Sequence, residues 1–134
     1  MKRFLLILTL ALFAGFAAKA QDDDNDKIRD KMREFIQKRL NLSKNEAERF
    51  TPVFIRYFRE WRQTLREHKD DVLERQKRIV DIRIRYRTEF KEIVGEKRSN
   101  RVYKEQDEFV RIIRQQQLER KNDKPIRNRS YLIE

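Results

Sequence analysis

Cysteine is absent from all 134 residues, glycine occurs only at Gly15 and Gly95, proline only at Pro52 and Pro125, and histidine only at His68. Each scarcity excludes something. Without cysteine there is no disulfide framework, so packing or self-association must supply stability, and no thiol is present to carry a lipid anchor. A β-rich domain needs more turn residues than these, and no glycine-rich phosphate loop can be built. His68 has no cysteine beside it, the acids Asp70 and Asp71 that follow it fall in a predicted turn, and it lies on the apolar arc of a helix, the place of a core or boundary residue. Asp22, Asp24 and Asp26 have the alternating spacing of a calcium loop, but Lys27 stands where the turn glycine belongs and Arg33 where the closing Glu should be. The expectation is an all-α chain with no catalytic residue, no metal and no cofactor.

Charge is what the chain has in abundance. Charged residues make up 43% of it, with 21 Arg against 13 Lys and a formal net charge of +11. A nucleic acid is the obvious partner for such a balance. The acids are interleaved with the arginines rather than segregated from them, which is the pattern of a solvated charged face, so no nucleic acid is expected.

The first twenty residues have the layout of a signal peptide. Lys2 and Arg3 form a basic start, an apolar run extends from Phe4 to Phe16, and Ala18-Lys19-Ala20 provides a small-residue cleavage site before Gln21. The run is shorter than the roughly 20 apolar residues of a membrane span. An uncleaved anchor is the alternative. Cleavage removes three cations, Lys2, Arg3 and Lys19, and leaves 114 residues with a net charge near +8, enough for one domain. The expected organisation is a leader over 1–20, an acidic lead-in over 21–26, a helical domain over 27–121 and a basic tail over 122–134. No transmembrane segment is expected after cleavage, and the leader implies export.

Helical periodicity marks four segments. Ile28, Met32, Phe35, Ile36 and Leu40 define a first helix, with Asp26 able to cap it. In a second, from Lys44 to about Lys69, Ala47, Phe50, Phe54, Tyr57, Phe58, Trp61, Leu65 and His68 fall within about 60° of one direction, and Arg56, Arg59, Arg62 and Arg66 form a separate arc. A third helix, capped by Asp70 or Asp71, runs to about Val94. Its stretch DIRIRYRTEF alternates as a strand would, but no partner strand exists for it. In helical projection it carries two apolar stripes, Val72, Ile79, Ile82, Tyr86, Phe90 and Ile93 on one side and Leu73, Val80 and Ile84 on another. Gly95 ends this helix, and Ser99 or Asn100 is placed to cap a fourth, whose inward face is Val102, Gln106, Phe109 and Ile113. Beyond it, Tyr131, Leu132 and Ile133 are apolar residues available for docking.

The stretch LNLSKNEAERFTPVF poses a local problem. Ser43 and Glu46 form a capping box that starts the second helix at Lys44, which puts Pro52 about two turns inside, where proline costs roughly 3 kcal/mol. Either the helix bends there, or a separate helix starts with Thr51 as its cap and Pro52 in its first turn.

This stretch, extended to LNLSKNEAERFTPVFIRYFREW, resembles the LTxxQ segment of the Spy/CpxP-like periplasmic family in a relaxed form, L-[ST]-x-x-[EQ] and then an aromatic, a proline and further aromatics. Leu42, Ser43 and Glu46 carry the motif, and Phe50, Pro52 and Tyr57 fit the aromatic and proline positions after it. Ile93 to Arg114 resembles a degenerate second copy in position and in its Asp107-Glu108-Phe109 ending, although its start lacks the Ser or Thr. The resemblance implies bent helical hairpins assembled as a thin, curved homodimer. It also implies an ATP-independent chaperone that holds non-native envelope proteins, or an envelope-stress regulator acting on a membrane sensor domain. Leu73, Val80 and Ile84 suit a dimer seam or a place under the N-terminal helix. Arg56, Arg59, Arg62, Arg66, Arg83 and Arg87 are the candidate client contacts, because guanidinium groups lie over aromatic faces and pair with carboxylates; a solvated surface is the alternative for each. The metal response described for some relatives does not transfer to a chain this poor in His and Met. A dedicated regulatory subunit for one membrane protein and a polyanion binder are the competing readings.

Overall fold

A single glycine, Gly95, joins the third and fourth helices of the chain, and no residue is spare on either side of it. In a computed structural model that describes residues 24–123, α1 covers 24–39, α2 Lys44–Glu67, α3 Val72–Val94 and α4 Glu96–Asn122. No strand occurs among the described residues. The leader over 1–20, the start of the lead-in and the apolar residues of the tail lie outside them.

Cross-contacts order the four helices. Arg62 of α2 meets Asn25 of α1, and Gln37 reaches Thr51. Tyr57 faces Tyr86 and Phe50 faces Phe90 across α2 and α3. Tyr103 of α4 donates to the Arg83 carbonyl of α3 at 2.7 Å, and Phe35 of α1 packs 5.5 Å from Phe109 of α4. Partner numbers fall in one helix as they rise in the other, so successive helices are antiparallel and α4 returns beside α1, giving an up-down-up-down bundle.

The core is unusually aromatic, with Phe50, Phe54, Tyr57 and Phe90 fully buried and joined by Met32, Ile36 and Val102. Burial also settles the DIRIRYRTEF stretch. Ile82 and Tyr86, four residues apart, are buried, whereas Ile84 is 53% exposed, as a helix requires and a strand forbids. The first apolar stripe of α3 is therefore core at Ile82, Tyr86 and Phe90, with Ile79 and Ile93 half-buried and Val72 exposed at its start, and the second does not pack under α1.

The capping box is formed: Ser43 Oγ accepts from the Glu46 N–H at 3.2 Å, and the Glu46 carboxylate accepts from the Ser43 N–H at 3.0 Å. The helix it starts runs unbroken through Pro52, so no new helix begins at Thr51. Pro52 is on the exposed face, as is Glu48, whose carbonyl loses its usual donor to the proline. On the inner side, Thr51 Oγ1 donates to the Ala47 carbonyl at 2.8 Å and accepts from Gln37 Nε2 at 3.2 Å. The ring interrupts the ladder where solvent, not core, takes the consequence.

Two expected helix starts are corrected. Residues 24–26 already belong to α1, and Asp26, instead of capping it, pairs with Arg29 one turn on at 3.0 Å. Ser99 and Asn100 cap nothing. Gly95 adopts φ +83°, ψ 166°, a conformation open to glycine almost alone, and there its N–H closes α3 on the Lys91 carbonyl while its carbonyl opens α4 on the Ser99 N–H, both at 2.9 Å. The chain reverses in one residue, so Ser99 becomes a buried helical residue whose hydroxyl donates to the Glu96 carbonyl at 2.7 Å. Asp71, not Asp70, caps α3.

A Cβ added to Gly95 meets nothing within 4 Å. Gly95→Ala is thus a test of backbone strain alone, expected to destabilise by about 1–3 kcal/mol in urea unfolding; a neutral result would mean the turn relaxes without cost.

Candidate partner-binding surfaces

Apolar side chains left outside the core are the first feature of the surface. Leu73 is 79% exposed, Val80 and Ile84 53% each, and Val72 at the start of the same helix 51%. Leu73, Val80 and Ile84 are exposed for a geometric reason: with Ile82, Tyr86 and Phe90 turned to α2 and α4, residues rotated well over a right angle from that direction face solvent, whereas Val72 shares the direction of Phe90 and is exposed because it stands at the very start of α3. Lys77, Arg87 and Lys91 lie in the same helical row and are exposed, so a basic residue interrupts the stripe between Leu73 and Val80 and two more extend it beyond Ile84.

The six arginines expected to meet a partner separate into distinct environments. Arg59, Arg62 and Arg66 come together around a depression of about 310 Å³ between α1 and α2. Arg59 and Arg66 are exposed there, whereas Arg62 is half-buried and donates to Asn25 Oδ1. Burial and the neighbouring Arg66 charge both lower the Arg62 pKa, the mark of a cation crowded by its surroundings. Arg56 turns to the other side of α2 and pairs with Glu89 of α3 at 3.3 Å. Arg87 is exposed on α3.

Arg83 belongs to the interior. Its guanidinium donates to Tyr57 Oη at 3.2 Å, Gln106 Oε1 at 3.0 Å and Asp107 Oδ1 at 2.7 Å, and it lies 5.1 Å from the centre of the Tyr103 ring. Burial works to lower its pKa, but the hydrogen bonds of Asp107 and Tyr57 outweigh that and hold it above its usual value. Burial pushes the Tyr57 and Tyr103 hydroxyls up, so both remain neutral donors at physiological pH. The cluster is a polar knot tying α2, α3 and α4. Helical spacing puts Gln106 on the inward face of α4 without naming what it bonds; a fully buried amide demands partners, and that demand is the available signal for Arg83.

Two more ion contacts between distant helices are not announced by the sequence. Glu105 is 5% exposed and takes Arg39 of α1 at 3.0 Å. Glu46, besides its capping role, accepts from both terminal nitrogens of Arg98 across 52 positions of chain, which together with the Ser43 N–H holds its carboxyl below the usual value. The motif residues are thus scaffold: Phe50 is fully buried, Leu42 packs against the core, and Ser43 and Glu46 fasten the α1–α2 turn to the start of α4.

His68 caps the end of α2 at the boundary of the core, its N–H on the Thr64 carbonyl at 3.1 Å. Among the described residues no three His, Asp or Glu side chains gather into a metal-binding group, and no helix is long and apolar enough to cross a membrane. Comparison with known proteins adds no relative, since no family model, no curated protein and no solved structure matches the chain.

Proposed function

We propose that this protein is an exported, ATP-independent binder of other protein chains, a holding chaperone or envelope-stress adaptor of the Spy/CpxP-like kind. The observation that carries the reading is the α3 stripe: Leu73, Val80 and Ile84 stand in solvent beside Lys77 and Arg87. Apolar surface of this kind marks an interaction site, and a basic surround keeps it soluble and attracts acidic segments. The stripe serves as the seam of a homodimer, and client contact then falls on the exposed arginines Arg56, Arg59, Arg66 and Arg87. Non-native envelope proteins or the periplasmic domain of a membrane sensor are the partners this chemistry suits.

The test combines solution mass with suppression of light scattering by a denatured client, without ATP, at low and high salt. The wild-type protein is expected to be a dimer and to suppress aggregation at both salts. L73S/V80S/I84S is expected to remain helical and to weaken self-association by at least about a hundredfold, because each aliphatic side chain removed from a seam forfeits about 1.5–3 kcal/mol. A folded protein that suppresses nothing, but captures one stoichiometric membrane partner, would move the assignment to a dedicated regulatory subunit. Binding that collapses with salt would move it to a polyanion binder.

A further inference from the structure

Among the described residues, the end of the bundle where α1 and α3 begin and α2 and α4 run out is not filled. Side chains from all four helices surround a cleft of about 690 Å³ there, within the roughly 300–1,000 Å³ of ordinary ligand sites. Met32, Trp61, Leu65, Ile79, Phe109 and Ile113 supply apolar walls, and Met32 and Phe109 belong to the buried core itself. At the inner end stand Arg83 and Asp107, already paired to each other at 2.7 Å.

The polar part of the lining is one-sided. Arg62, Arg75, Arg83, Arg111 and Arg114 line the cleft, against the single acid Asp107. Asp107 answers Arg83, and Glu108, just outside, answers Arg111 at 2.5 Å. Arg75 is spent on the neutral carbonyls of His68 and Lys69 at 3.2 and 2.8 Å, and Arg62 on the neutral Asn25 amide. Among the described residues no carboxylate pairs with Arg62, Arg75 or Arg114. A ligand that fits must therefore bring an apolar body and a negative charge together. The α3 stripe is a convex ridge on one helix, suited to another protein; this site is concave and ringed by four helices, suited to a smaller molecule.

We propose that the cleft binds a single-chain amphiphile with an anionic head group, its chain among the apolar walls and its carboxylate or phosphate met by Arg62 and Arg114, which neither an acid nor a backbone carbonyl occupies. The site does not depend on the stripe, and its test needs no client, so it can fail while holding activity stands.

Trp61 is the sole tryptophan of the chain and lines the cleft, so its fluorescence reads occupancy directly. The full-length protein is titrated with monomeric dodecanoate, with lysophosphatidate of the same chain length and with neutral dodecanol. A saturable Trp61 response is expected for both anions, with dodecanol weaker by roughly tenfold or more for want of charge-assisted hydrogen bonds. R62Q/R114Q, verified as helical by circular dichroism, is expected to erase that preference, and V110F, which narrows the cleft, to weaken all three. Tighter binding of lysophosphatidate identifies a lipid head group as the source; tighter binding of dodecanoate identifies a free fatty acid. Equal affinity for dodecanoate and dodecanol in the wild type, a response only to phosphatidylglycerol vesicles, or saturation by an acidic peptide and by no amphiphile would each overturn the proposal.

Discussion

Phe90→Ala is expected to destabilise the protein by about 3–5 kcal/mol, the largest single-site effect in the chain. Phe90 is fully buried in α3 and touches the aromatic residues of both neighbouring helices: Phe50 at 5.1 Å, Tyr57 at 6.0 Å and Tyr103 at 6.1 Å between ring centres, with Tyr86 one turn away. Truncation loses the transfer energy of the ring and leaves a cavity that rigid aromatic neighbours cannot collapse into. Domains of this size are stable by only about 5–15 kcal/mol, so the variant sits near the unfolding threshold at physiological temperature. Urea unfolding measures it, with the exposed Ile84→Ala as control in dilute protein, where a surface change is worth about 0.5 kcal/mol or less. A cost below about 1 kcal/mol at Phe90 would mean that the four-helix core is not packed as described.

The contrast between these two positions of α3 is also a contrast in what sequence can carry. Helical periodicity separates Phe90 from Ile84 without any coordinates, because a fixed 100° step makes the buried direction a property of spacing alone. The same reasoning places the faces of α2 and α4, and the Ser-x-x-Glu spacing alone marks the capping box at Ser43. It fails where the fold recruits residues that periodicity counts as polar. Arg83 flanks the core face and reads as surface, because nothing in its local spacing announces Tyr57, 26 positions away, or Asp107, 24 positions away. Ser99 has the look of a cap because loops of several residues are the ordinary expectation between helices; a one-residue reversal at Gly95 abolishes the loop that a cap would close. Pro52 carries its full interior penalty in sequence terms, and only the exposure of its face shows why the helix continues.

The cleft is invisible in the sequence for a related reason. Trp61, Leu65 and Ile113 have the right period for a core, and sequence cannot say that the described helices around them leave a cleft at the bundle's end. Three of the residues with charge to offer there, Arg62, Arg75 and Arg114, come from three different helices, so no local run of arginines announces the site. Pattern identifies faces; the volume between faces depends on how the helices diverge.

Arg83 is the position where fold and function are most easily confused, and a pair of variants separates them. Arg83→Ala is expected to cost about 2–3 kcal/mol. That is at or below the roughly 3–5 kcal/mol of a broken buried ion pair because the orphaned Asp107 is 65% exposed and regains water, while Tyr57 and Gln106 keep their bond to each other. Arg83→Met retains the apolar stem that packs near Tyr103 and removes only the donors, so its smaller cost, about 1–2 kcal/mol, isolates the polar part. Unfolding curves for both variants, combined with D107N in a double-mutant cycle, measure the coupling. If Arg83→Met proves neutral, as apolar replacements of buried charges sometimes are, the knot among α2, α3 and α4 contributes nothing net to stability. Client holding, compared per folded molecule, supplies the second axis. A variant that is less stable but holds clients normally assigns Arg83 to the scaffold, as its four hydrogen-bonded contacts imply. A variant of unchanged stability that loses holding would return Arg83 to the partner surface alongside Arg59, Arg66 and Arg87, and would require its bonds to Tyr57 and Gln106 to open when a partner docks.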